Sequence, residues 1–175
     1  MRLISTEQTN FCQFRYAKYQ FAPGMTLILG RNGSGKSNLV KGVYASVTGD
    51  FGRNDGVKTD NICQYAPPNE PARIKSVIEH GGTVLEITRN LRPATTRLVI
   101  RPADGASETV ITKTAEANDA IINILGVSGR MLADYVFVDQ WSIFDFLSMM
   151  PAERAKAFQR LFRTEHAEAL WKSVG

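Results

Sequence analysis

The octapeptide Gly30-Arg31-Asn32-Gly33-Ser34-Gly35-Lys36-Ser37 limits what this chain can fold into more than any other stretch. Its spacing, Gly-x-x-x-x-Gly-Lys-Ser, is that of a Walker A loop, which sits between a strand and a helix. Met25-Thr26-Leu27-Ile28-Leu29 precedes it, short and almost wholly apolar, as a strand buried on both faces reads. Leu39, Val43 and Val47 follow at four-residue intervals with Val40 and Tyr44 beside them, so a helix is predicted to open at Lys36. Gly30, Gly33 and Gly35 are expected to take positive φ and to let the backbone approach a ligand without a Cβ in the way. Successive amide N–H groups then form a nest for anionic oxygens, and the helix adds the positive end of its dipole. The Lys36 ammonium is expected on the β- and γ-phosphates and the Ser37 hydroxyl on Mg²⁺. With Arg31, Asn32, Ser34 and Asn38, these residues form the candidate nucleotide site, and ATP with Mg²⁺ is the expected ligand pair.

The rest of the pattern predicts an α/β chain. Leu3, Ile4 and the stretch from Phe11 to Phe21 carry strand-like content, and Pro23-Gly24 is a turn. Residues 49–71 are dense in Gly, Asn, Asp and Pro and read as loop. Three strand-like runs follow, Arg73 to Glu79, Thr83 to Asn90 and Thr95 to Arg101. Gly81-Gly82 is a hairpin signal between the first two, and Pro93 lies between the second and third. Asp104-Gly105 turns into a fourth run, Glu108 to Lys113, so residues 72–113 predict an antiparallel meander. Helical periodicity returns from Glu116 to Leu125, with Gly126 as its C-cap. Tyr135 to Val138 is a short apolar run, followed by Asp139 and Gln140. Pro151 suits the first turn of a last helix, with Glu153 near its positive end and Phe158, Leu161 and Phe162 on one stripe.

Composition narrows the function classes. Hydrophobic residues at 43% and charged residues at 22% are the balance of a globular protein. No apolar run approaches the roughly 18 residues of a membrane span, and the N-terminus lacks the apolar stretch of a signal peptide. A cytoplasmic chain with no membrane partner is expected. Cys12 and Cys63 have no metal-ligand spacing and are expected to be free thiols in a reducing compartment. His80 and His166 are isolated, which leaves neither a zinc site nor a histidine-based triad. A net charge of +4 tolerates a polyanionic partner without demanding one, since the basic residues are spread along the chain.

Three stretches together resemble the SMC-like ABC ATPases of DNA double-strand-break repair, in particular the SbcC type, the ATPase partner of the SbcD nuclease, with its phage counterparts. Asn10-Phe11 lies about twenty residues before the loop, where that family begins its second strand region. Residues 31–38 are similar to the family's version of Walker A. Val138 to Leu147, then Pro151-Ala152-Glu153-Arg154 and Leu161-Phe162, are similar to its Q-loop and the helix after it. The resemblance implies that Gln140 supplies a neutral oxygen to Mg²⁺ beside Ser37 and senses the γ-phosphate. It implies one N-terminal P-loop lobe over 1–175: strands, Walker A and helix in 1–50, the meander in 72–113, a helical segment in 114–140, and helices after the Q-loop in 141–175 leading toward a coiled coil. One position departs from the family. The arginine common right after Asn-Phe is Cys12 here, and either Arg15 takes its place or the contact is absent.

The resemblance also implies partners. A signature loop, a Walker B Asp-Glu pair and a switch histidine are not found in this sequence, and Val127-Ser128-Gly129-Arg130 reads as a plain turn. No catalytic residue is therefore assigned. ATP hydrolysis is expected only with a C-terminal lobe, in the same or a separate chain, and a second ATPase head. A nuclease of the SbcD type and the backbone of double-stranded DNA complete the expected set. Arg89, Arg92, Arg97 and Arg101 are candidates for DNA contact, though each also reads as a solvated strand-face charge. Two alternatives stay open: a self-contained P-loop NTPase or kinase with Asp139 as its Walker B acid, and a nucleotide-binding module that does not hydrolyse.

Overall fold

The computed structural model describes residues 1–51, 58–127, 129–132, 136–137 and 148–155. The chain divides into two compact units, Met1–Val127 and Ser128–Gly175.

The first unit is built on six strands: β1 (Arg2–Phe11), β2 (Phe14–Gln20), β3 (Ala72–His80), β4 (Thr83–Arg92), β5 (Ala94–Arg101) and β6 (Thr109–Ile111). They form one sheet in the order β2-β1-β3-β4-β5-β6, with every neighbouring pair antiparallel. The meander runs from β3 to β6, and its first hairpin turns at Gly81-Gly82. Two helices, α1 (Lys36–Thr48) and α2 (Thr114–Leu125), pack on the sheet, α1 against β1, β3 and β4 and α2 against β5. The architecture is α/β.

Register decides which side chains meet the helices. One row across the sheet pairs Thr6, Ser76, Ile87 and Leu98, and all four are buried. Ile74, Leu85 and Ile87 are fully enclosed, and burial of each such side chain stabilises the unit by about 1.5–3 kcal/mol. The next row, Glu7, Lys75, Thr88 and Arg97, lies on the opposite face. There Glu86 meets Lys75 at 2.9 Å and Arg101 at 3.4 Å. Burial alone would raise the Glu86 pKa, but hydrogen bonds and charge from Lys75 and Arg101 hold it below its ordinary value.

β1 is longer than its composition suggests because its inward residues are polar. Thr6, Gln8 and Asn10 are all buried, and buried polar groups require partners. Thr6 Oγ1 lies 3.3 Å from Ser76 Oγ, which in turn lies 2.7 Å from Ser46 Oγ on α1. Gln8 Nε2 donates to the Leu39 carbonyl at 2.9 Å, and Asn10 Nδ2 donates to the Pro71 carbonyl at 2.8 Å. Beside them Phe11 anchors an apolar cluster with Ala45, Ala72, Ile74 and Leu91.

Met25–Leu29 departs from expectation. It forms no strand, and Met25, Leu27 and Leu29 are 99%, 77% and 80% exposed. A strand buried on both faces needs neighbours on both edges. The run is not part of the six-stranded sheet, and no described residue pairs with it.

In the second unit, α3 (Gly129–Met131) is a short helical turn, and the Phe137 N–H donates to the Leu132 carbonyl at 2.9 Å. Val136 is helical and Phe137 lies in a bend. Residues 151–155 are helical, as Pro151 predicts, and Glu153 accepts the Met150 N–H at the start of that turn. Among the described residues no helix is long and apolar enough to cross a membrane.

Candidate functional site

The site begins where the exposed run ends. Residues 30–34 form an exposed turn closed by the Ser34 N–H on the Arg31 carbonyl, and α1 starts immediately after Gly35. Gly33 and Gly35 have φ of 79° and 96°, in the region that favours glycine. At Gly33 an added Cβ would meet nothing within 4 Å. At Gly35 it would strike Gln13 and Phe14, at 2.5 and 2.6 Å. Gly30 differs from expectation: it is not among the positive-φ residues, and a Cβ there would instead displace the Ser34 hydroxyl.

At the start of α1, the N–H groups of Lys36, Ser37 and Asn38 have no carbonyl one turn back, since the first intrahelical bond is Leu39 N–H to Gly35 O. The Lys36 ammonium reaches back to the loop, donating to the Gly30 carbonyl at 2.7 Å and the Arg31 carbonyl at 2.9 Å. An ammonium has three N–H groups, so one remains for an anion. The Ser37 side chain is exposed. An exposed turn, helix N–H groups and a tethered cation together fit a chain of phosphates, and the exposed hydroxyl fits a hard divalent cation such as Mg²⁺ beside it.

The turn between β1 and β2 adds a residue that sequence reasoning missed. Gln13 Nε2 donates to the Gly33 carbonyl at 3.0 Å, and its Oε1 accepts from Asn38 Nδ2 at 3.1 Å. The one available signal was its place right after the Asn10-Phe11-Cys12 stretch. Arg15, the expected stand-in for the family arginine, has other partners in this structure. It donates to the Tyr65 carbonyl and pairs with Glu70, each at 2.9 Å. Burial raises the Cys12 pKa, so that position carries a neutral thiol.

The other expected residues scatter. Gln140 and Asp139 lie outside the described residues. Arg89, a candidate for DNA contact, is buried and donates to the Ser46 and Val47 carbonyls and to Asn118 Oδ1. Arg92 holds the Pro67 and Glu70 carbonyls. Arg97 and Arg101 are exposed beside Glu86.

With that geometry in place, the comparisons with known proteins define a class. The sequence pattern of the AAA domain family matches residues 9–173, so this chain belongs to that family. Its relatives are consistent among themselves. It is 24% identical over its whole length to the DNA double-strand break repair Rad50 ATPase of Methanocaldococcus jannaschii, of which it covers 17%. It is 27% identical over 91% of its length to the protein of that name from Thermoplasma acidophilum, of which it also covers 17%. It is 22% identical over 86% of its length to the SbcC component of the nuclease SbcCD of Vibrio cholerae, of which it covers 16%. The resemblance to the SbcC type thus extends over nearly the whole chain, and the chain spans about a sixth of the length of these relatives.

Proposed function

We propose that this chain binds Mg·ATP at residues 30–38 and serves as the N-terminal lobe of a Rad50- or SbcC-like ATPase head in DNA double-strand-break repair. The observation that carries the reading is the exposed turn at Gly33, placed at the N-terminus of α1 with the Lys36 ammonium tied to its Gly30 and Arg31 carbonyls. Mg²⁺ supplies charge neutralisation of the phosphates when bound. Lys36 and the N–H groups at the start of α1 grip the phosphate oxygens, Ser37 ligates the cation, and Gln140 adds the second oxygen. Arg31, Asn32, Ser34 and Asn38 shape the loop around them.

Two further features support the lobe reading. Met25–Leu29 is an exposed apolar run leading into the loop, which suits a strand completed by a C-terminal lobe from the same or a separate chain. The exposed basic residues Lys18, Arg97 and Arg101 suit sequence-independent contact with a DNA backbone. Hydrolysis then requires that second lobe and a second head, and head engagement gates an SbcD-type nuclease.

The test is nucleotide titration of the wild-type protein and Lys36→Ala. Mg·ATP affinity is expected to fall at least about 100-fold in the variant, the scale of a lost charge-assisted contact. Equal affinity in the two proteins defeats the site assignment. Turnover that appears only on addition of the C-terminal lobe supports the split head, whereas turnover by this chain alone favours a self-contained NTPase.

A further inference from the structure

We propose that Gln13 is a positioning residue of the phosphate loop, contributed by the β1–β2 turn where a charged side chain is missing; the proposal rests on the nucleotide-binding reading above. The carboxamide has two chemically different ends, and both are used. A carbonyl can only accept, so Gln13 must present its nitrogen to Gly33 O, at 3.0 Å. That orientation leaves Oε1 for the Asn38 amide, which donates at 3.1 Å. One contact lies in the left-handed part of the loop and the other in the first turn of α1, so the pair brackets residues 34–37. Gln13 also lies directly against Gly35, where an added Cβ would fall 2.5 Å from its Nε2.

The bracket acts at the least crowded glycine of the loop. Gly33 has a glycine's backbone freedom, and unlike Gly30 and Gly35 it has nothing within 4 Å of where a Cβ would sit. If its peptide turned over, a carbonyl would face the phosphates and repel them. Gln13 holds that carbonyl and ties it to the helix before any ligand arrives, which lowers the ordering cost of binding. Its nearest neighbours with a donor group do not compete for the role. Arg15 is committed to Tyr65 and Glu70, and Cys12 is a half-buried thiol. Gln13 therefore works through the loop amides and not by touching the nucleotide.

The experiment titrates Mg·ATP, and Mg²⁺ with inorganic tripolyphosphate as a probe without base or sugar, into wild type, Gln13→Ala, Gln13→Glu, Asn38→Ala and the Gln13→Ala/Asn38→Ala double variant. Gln13→Glu keeps the shape and the acceptor but cannot donate to Gly33. Both Gln13 variants are expected to bind both probes about tenfold more weakly, the scale of two neutral hydrogen bonds. Their thermal midpoints should stay within about 2 °C of wild type, because the residue is exposed. The double variant should be no weaker than Gln13→Ala, since both changes break one bracket. Wild-type affinity in Gln13→Ala, or additive losses in the double variant, overturns the proposal. A loss for ATP but not for tripolyphosphate also overturns it, by making Gln13 a base or sugar contact. If wild type binds neither probe, the phosphate-loop reading falls and this proposal with it; if Lys36→Ala loses binding while Gln13→Ala keeps it, only the role of Gln13 falls.

Discussion

The two ends of α1 carry a cation each, and they are built in opposite ways. At its start Lys36 lies against the carbonyls of an exposed turn, held by two hydrogen bonds. At its end Arg89, 3% exposed, donates to the Ser46 and Val47 carbonyls and to Asn118 on α2. A cation suits the C-terminal end of a helix, where the carbonyl dipoles point. Burial pushes the Arg89 pKa down to about 10, so it stays charged at neutral pH. At the N-terminal end the dipole has the opposite sign, so a cation there makes sense only with an anion to share. One end is finished by the protein's own groups, and under the proposed function a ligand would finish the other.

Substitutions separate the two ends. Arg89→Met is expected to have the largest effect, a loss of about 3 kcal/mol in unfolding free energy, because several carbonyls lose their donor. Denaturant titration measures it, and a loss below about 1 kcal/mol would mean that water replaces the guanidinium there. Lys36→Ala should reverse the pattern: nucleotide affinity falls by about 2.7 kcal/mol or more, the energy of a hundredfold change, while unfolding free energy moves by less than about 0.5 kcal/mol. A glycine pair sharpens the contrast. Gly33 and Gly49 have nearly the same φ, 79° and 77°. A Cβ at Gly49 would press on the Arg89 guanidinium at 3.2 Å, whereas at Gly33 it meets nothing within 4 Å. Gly49→Ala should therefore destabilise by about 2 kcal/mol, left-handed strain plus crowding. Gly33→Ala should cost only the strain, about 1 kcal/mol. Equal losses in thermal unfolding would show that Arg89 yields freely.

How much of this was legible in the sequence depends on where each residue's partner lies. The loop, α1 and the meander read directly, because glycine spacing, four-residue periodicity and hairpin turns are local signals. α2 and its Gly126 cap read for the same reason. β1 did not, because its inward Thr6, Gln8 and Asn10 look like surface residues. Their partners, Ser76, Leu39 and Pro71, are far away in the sequence. Arg89 was hidden the same way: a guanidinium on a strand reads as solvated until a helix end is found above it. Met25–Leu29 failed in the other direction. An apolar run reports that burial is wanted but not which residues supply it, and the described part of the chain does not. Gln13 carried no local signal beyond its place after Cys12, since its two partners lie 20 and 25 residues further on.

That bare apolar stretch has a practical side. An extended run outside the sheet with exposed side chains such as Leu27 and Leu29 is a template for another molecule's backbone. Concentrated solutions of the protein should drift toward self-association, and a segment laid along residues 25–29 would also keep the protein dispersed.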